Sequence, residues 1–147
     1  MDERLAKFIA AELILAMEYV HTKHVIFRDL KPENILIDSE GHIRLADFGL
    51  AKQGTDLAQS FCGSPAYLAP EMLRREGVTQ SFDIYQIGVV LYEMLVGIQP
   101  YYNDNLRVLY RKIKKGHLRL PAYLSAEARE LLPRLMDTDP AKRPNFE

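Results

Sequence analysis

The run FDIYQIGVVLYEMLVG, residues 82 to 97, limits the fold more than any other stretch of this chain. Wound as a helix of about 3.6 residues per turn it is apolar on nearly every side, so no face of it suits water and other elements must surround it. Gly97 and Pro100 close it. The sequence supplies covering helices. From Asp2 to His21, the residues Leu5, Phe8, Ile9, Leu13, Met17 and Val20 recur at three- and four-residue spacing, with Asp2 placed to cap the start. NLRVLYRKIKKG, residues 105 to 116, reads as a mixed helix ended by Gly116, its Arg107, Arg111, Lys112, Lys114 and Lys115 forming a solvated face. SAEARELLPRLMD, from residue 125, reads as another, capped by Ser125. Pro133 lies inside it, removes the bond to the Arg129 carbonyl and is expected to bend or break it.

A chain of 147 residues with 48% hydrophobic content is enough for one domain with a core. Nineteen Lys plus Arg against twenty Asp plus Glu give a net charge of -1, so overall charge makes no case for nucleic acid or an anionic membrane. No apolar run approaches the roughly 18 residues of a spanning helix, and MDERLAKF is not built like a secretory signal. Cys62 is alone, which excludes an internal disulfide and agrees with a reducing compartment. The expectation is an intracellular protein, cytoplasmic or nuclear. Four scattered histidines and one cysteine show no zinc spacing.

HVIF, NILID and HIRLA are short strand candidates, the last two joined through DSEGH as a hairpin with Gly41 at its turn. Residues 47 to 71 carry neither helical nor strand period, and a loop of that length inside a compact domain is usually functional or disordered. The fold class expected is mainly α with a small β-hairpin.

FRDLKPEN, residues 27 to 34, packs Arg28, Asp29, Lys31, Glu33 and Asn34 between two apolar runs. Taken alone, such a cluster is a solvent-facing turn. DFG at 47 to 49 and APE at 69 to 71 change that reading, because order, spacing and placement on loop, hairpin end and loop end act together. With them the chain resembles protein kinases over essentially its whole length. FCGSPAYLAPEM and LYEML are most similar to the AGC group, which contains the cyclic-nucleotide-dependent kinases.

The resemblance implies roles residue by residue. Asp29 would accept or orient the proton of a substrate hydroxyl, Lys31 would contact the transferring phosphoryl group, and Asn34 with Asp47 would ligate magnesium through hard oxygens. ATP would lie against Lys31, Asn34, Leu36 and Asp47. RDLKPEN is similar to serine/threonine kinases, so the acceptor is expected to be Ser or Thr, with Ser64 near the catalytic Asp and Lys. Glu33 and Glu93 match positions that pair with an Arg two residues before the acceptor, which implies protein substrates with basic residues there. Ser60 matches an activation-loop phosphorylation site that Arg28 would read, implying an upstream activating kinase. Glu71 and Arg143 match a structural ion pair, and Asp83 a buried carboxylate at a helix start that supports the catalytic loop. Three departures stand out: Phe27 replaces the usual His or Tyr, Ala66 the usual Glu, and DIYQIG lacks the common Trp and Ser after the Asp.

Kinase chemistry also uses a glycine-rich cover over the phosphates, a strand Lys and a helix Glu that pairs with it. The eight glycines include no G-x-G, and before Asp29 the only lysines are Lys7 and Lys23. The expectation is therefore a partial kinase domain over residues 1–147, a C-lobe with the N-lobe absent and the C-terminus truncated after Arg143. Alone it would be catalytically silent, and apolar surface around Ile35, Leu36, Ile37 and Phe48 would favour self-association. The alternative is a pseudokinase-like binding or regulatory module.

Overall fold

A computed structural model describes residues 1–54 and 61–146 of the chain. Its centre is helix α3, Ser81–Val96, buried without interruption from Phe82 to Tyr92. Gly97 ends it in the left-handed region at φ 88°, donating to the Glu93 carbonyl at 2.8 Å, a conformation that costs glycine nothing sterically. Helices α1, Glu3–Thr22, and α5, Ala126–Leu135, pack against α3. Between α3 and α5 runs α4, Leu106–Lys115, which buries Leu109 and Ile113 and leaves Arg107, Arg111, Lys112, Lys114 and Lys115 exposed. A short helix α2, Pro70–Leu73, precedes α3.

Among the described residues the β content is two antiparallel pairs. Strand β1 is Val25–Ile26 and pairs with β4, Lys52–Gln53; β2, Ile35–Ile37, pairs with β3, Ile43–Leu45, in the register Ile35 to Leu45. At the β2–β3 turn Gly41 takes φ 88°, and Asp38 Oδ1 accepts from the amides of Glu40 and His42 at 3.0 and 2.9 Å.

Several expectations need correction. Leu5 and Phe8 are 49% and 46% exposed and lie on the face of α1 that also presents Leu15 and Tyr19; Ala6, Ile9, Leu13 and Met17 make the buried face. Periodicity finds an apolar stripe, but this helix has two. Asp2 holds the N-cap position without a side-chain bond; its carbonyl accepts from Ala6, and it is Glu3 that reaches across the fold to the hydroxyl and amide of Ser125. Pro133 does not break α5. The helix runs on to Leu135, because the missing N–H falls near its end and Met136 still donates to Leu132 at 3.1 Å. Ser125 does cap it, accepting from Ala128 at 3.1 Å. The described part of residues 47–71 contains β4, a 3-10 turn at Pro65–Tyr67 and the start of α2.

Candidate active site

The geometry of the 27–34 loop is set from α3. Arg28 sits at φ 68°, a left-handed conformation that costs a side-chain-bearing residue on the order of 1 kcal/mol or more. What holds it is Asp83, with no exposed surface. Its Oδ1 accepts from the Arg28 amide at 2.8 Å, and its Oδ2 accepts from the Phe27 amide at 2.9 Å and lies 2.7 Å from His21 Nε2. One turn further along, the buried Gln86 accepts from the Leu30 amide at 3.0 Å and donates to the carbonyls of Arg28 and Tyr67. The loop is thus pinned at Phe27, Arg28 and Leu30, on either side of Asp29, by two side chains of one helix. Gln86 escaped the sequence reading. Its signal was a lone amide in a helix otherwise buried and apolar, which has to find partners.

On this platform the polar side chains converge. Asn34 Nδ2 donates to the Asp29 carbonyl at 2.8 Å and to Asp29 Oδ2 at 3.1 Å. Lys31 Nζ lies 3.6 Å from Asp29 Oδ1 and donates to Ser64 Oγ at 3.1 Å. Asp29, Lys31, Asn34 and Ser64 therefore form one cluster, with Asp29 buried and Lys31 half-buried. Asn34 also ties the cluster to the hairpin, its carbonyl accepting from Ala46 at 2.9 Å, next to Asp47. Asp47 is exposed, sits at φ 61°, and its Oδ1 accepts from Gly49 at 3.0 Å. A Cβ at Gly49 would stand 2.9 Å from that oxygen, so the small residue leaves the carboxylate its place. Phe48 and Phe27 pack edge to face, ring centroids 4.9 Å apart, so an apolar ring at position 27 is used in packing. Leu36 is 52% exposed on β2.

A second group gathers beside the first. Tyr67 donates its hydroxyl to Glu93 Oε2, and Gln99 Nε2 donates to Glu93 Oε1 at 2.8 Å and to the Tyr67 hydroxyl at 3.2 Å. Burial pushes the Tyr67 phenol well above its ordinary range, its bond to Glu93 pushes it further, Gln99 opposes, and the charges of Glu93 and Glu33 add to the rise. Glu33 is exposed on the 3-10 turn Pro32–Asn34. The two glutamates picked from the sequence thus act on one hydroxyl. Nothing in the sequence singled out Gln99, whose contacts span 6 and 32 residues.

Away from these groups, Arg143 meets Glu71 in a bidentate pair at 2.7 and 2.8 Å, donates to the carbonyls of Ser81 and Asp137, and stacks over Tyr85 at 4.9 Å. Arg28 Nε donates to the Leu50 carbonyl at 2.7 Å. Ser60, the expected phosphorylation site, lies outside the described residues. A cavity of about 610 Å³ is lined by His21, Gln80, Arg143 and Phe146 among others and by none of Asp29, Lys31, Asn34 or Asp47, so the chemistry and the cavity are separate. No helix among the described residues is long and apolar enough to cross a membrane.

Comparison with known proteins gives the family. Residues 1–147 match the family described as "Protein kinase domain". A RAC family serine/threonine-protein kinase homolog of Dictyostelium discoideum is 46% identical over 145 residues, covering 96% of this chain and 33% of that protein. The serine/threonine-protein kinase gad8 of Schizosaccharomyces pombe is 48% identical over 145 residues, covering 97% of this chain and 26% of its own length. A cAMP-dependent protein kinase type 3 of Saccharomyces cerevisiae is 45% identical over 139 residues, with 95% and 35% covered. The chain thus spans about a third of the length of these curated relatives. It belongs to the protein kinase domain family, on the serine/threonine side, and among its relatives stand kinases of the AGC group.

Proposed function

We propose that this chain forms the C-lobe side of a serine/threonine protein kinase site, and that the complete protein transfers the ATP γ-phosphate to Ser or Thr hydroxyls of protein substrates. The observation that supports it most is the hydrogen-bonded cluster of Asp29, Lys31, Asn34 and Ser64 on a loop pinned by Asp83 and Gln86. Phosphoryl transfer asks little covalent work of the protein and much positioning. Asn34 holds one oxygen of Asp29 and leaves the carboxylate to orient the acceptor hydroxyl and take its proton as the new oxygen–phosphorus bond forms and ADP departs. Lys31, between Asp29 and Ser64, places a cation where negative charge gathers.

The residues fit magnesium. With Nδ2 committed to Asp29, Asn34 offers Oδ1; with Oδ1 committed to Gly49, Asp47 offers Oδ2. Among the described residues no set of three or more His, Cys, Asp or Glu makes a cage, which suits an ion shared with substrate phosphates. When bound, magnesium would supply charge neutralisation on those phosphates. Leu36 and Phe48, both half exposed, offer apolar surface beside it for the nucleotide. Glu33 and Glu93 favour a basic residue before the acceptor. Phosphorylation of Ser60 by an upstream kinase would raise activity through Arg28.

In the complete protein, Asp29→Asn and Asp47→Ala should each lower turnover by at least about 100-fold while leaving the fold intact, the range expected for loss of a positioned proton acceptor or metal ligand. Near-normal turnover in either variant overturns the role given to it. The 147-residue chain alone should show neither micromolar binding of magnesium ATP in calorimetric titration nor transfer to a basic serine peptide. Binding together with Asp29-dependent transfer would show that these residues suffice by themselves.

A further inference from the structure

Glu93 is a partly exposed carboxylate whose two oxygens are both engaged by the protein's own side chains. Tyr67 donates to Oε2, Gln99 Nε2 donates to Oε1 at 2.8 Å, and the other amide hydrogen of Gln99 goes to the Tyr67 hydroxyl at 3.2 Å. The amide nitrogen has to face Glu93, because an ionised carboxylate carries no hydrogen to give. Donors and acceptors then close into a ring without conflict: the phenol gives to Glu93 and accepts from Gln99, and the amide gives to both.

The shape of this ring carries the argument. Two donors 3.2 Å apart, one on each carboxylate oxygen, occupy the edge that a guanidinium uses when it binds with two parallel N–H···O bonds. A carboxylate has about four acceptor positions, so two are left, one on the outer side of each oxygen. These diverge, and one planar fork cannot use both. A lysine ammonium, which acts as a point charge with rotatable hydrogens, loses nothing by meeting a single oxygen. Arginine loses the second bond that distinguishes it.

We propose that Gln99 sets the specificity of this subsite: with Tyr67 it fills the two-oxygen edge of Glu93, leaves a single-point acceptor, and so makes the site accept lysine as readily as arginine. This rests on the reading that Glu33 and Glu93 face the substrate. Gln99 acts through Glu93 and is a positioning residue. Glu33 is exposed, and its charge draws either cation towards the site.

The test uses the complete protein and three serine peptides that differ only two residues before the acceptor, with Arg, Lys or Ala there. The readout is the ratio of kcat/KM for Arg over Lys within each variant, which cancels any difference in the folded fraction. Wild type should give a ratio within about twofold of one, Tyr67→Phe alone should leave it there because Gln99 still holds one oxygen, and Tyr67→Phe with Gln99→Ala should raise it to about fivefold or more by improving the Arg peptide alone, the gain of a second charge-assisted bond. Gln99→Leu in the same Tyr67→Phe background, which fills the same space without a donor, should do likewise. Glu93→Gln should bring both basic peptides towards the Ala peptide. An unchanged or lowered ratio in both Gln99 variants, with Glu93→Gln still erasing the basic preference, overturns the role of Gln99 alone. If Glu93→Gln has no effect, or if no peptide is turned over or bound, the substrate-facing reading of the glutamates falls and this inference with it.

Discussion

The two ends of helix α3 carry carboxylates in opposite settings. Near its start Asp83 is fully buried, and two of its three partners are the backbone amides of Phe27 and Arg28. Near its end Glu93 is partly exposed, and its partners are the side chains of Tyr67 and Gln99. Backbone amides cannot swing away, so Asp83 works as a strut that fixes one loop conformation. Side-chain donors rotate and are replaced by single substitutions, so Glu93 keeps acceptor capacity that one neighbour can retune. One rigid helix thereby joins a fixed loop to an adjustable surface.

The comparison is most easily broken by making the same isosteric change at both ends. Asp83→Asn turns an amide NH2 towards donors that need an acceptor, and should destabilise the chain by about 3 kcal/mol, whereas Glu93→Gln should cost less than about 0.5 kcal/mol. Urea denaturation at neutral pH measures both. Equal losses would mean that burial does not separate the two roles.

A smaller effect is expected just beyond the end of α3. The Tyr101 hydroxyl is buried without a hydrogen-bond partner among the described residues, and burial pushes its pKa up to about 12. Tyr101→Phe removes a group that gave up water for nothing, and should leave stability unchanged or raise it by about 1 kcal/mol. A loss of more than that would reveal a partner for the hydroxyl.

The smallest effect lies where α1 meets the hairpin. His42 Nδ1 is 2.5 Å from Glu12 Oε1, and Glu12 Oε2 accepts from Ile43 at 2.8 Å. The hydrogen bond to Glu12, then its charge, raises His42 above 6.5. The Ile43 amide, then His42, lowers Glu12 below 4.5. A raised histidine contributes fully below its unfolded value and fades as pH climbs through the folded one; a lowered carboxylate contributes above its unfolded value and fades as pH falls through the folded one. The pair is therefore worth most between 4.5 and 6.5. In an NMR titration the His42 midpoint should move down in Glu12→Gln. An unmoved midpoint would show that the contact does not persist in solution.

Much of this was readable in advance, and the reasons differ by element. Residues 82–97 could be placed because a helix apolar all round has only one environment open to it. The β2–β3 hairpin could be placed because Asp38 and Gly41 make its turn locally. Strand β4 could not: at two residues it shows no alternation, and it exists only because Val25 and Ile26 lie beside it. Leu5 and Phe8 were assigned to the wrong face of α1 for a related reason, since spacing identifies stripes but not which stripe finds a partner. Asp29, Lys31, Asn34 and Asp47 were legible because their order and spacing form a motif. Gln86 and Gln99 were not, because their partners lie between 6 and 58 residues away along the chain and follow no spacing rule.

By itself the sequence determined the central helix, the hairpin turn, the caps at Ser125 and Gly97, and the family to which the polar residues belong, because each of these rests on contacts within a few residues or on a motif read in order. Only the tertiary structure decided that Gln86 would join Asp83 in pinning Phe27, Arg28 and Leu30, and that Tyr67 and Gln99 would claim the same edge of Glu93. A hydrogen bond depends on distances of about 3 Å and on direction, and between distant segments both are fixed only when the core has closed around α3.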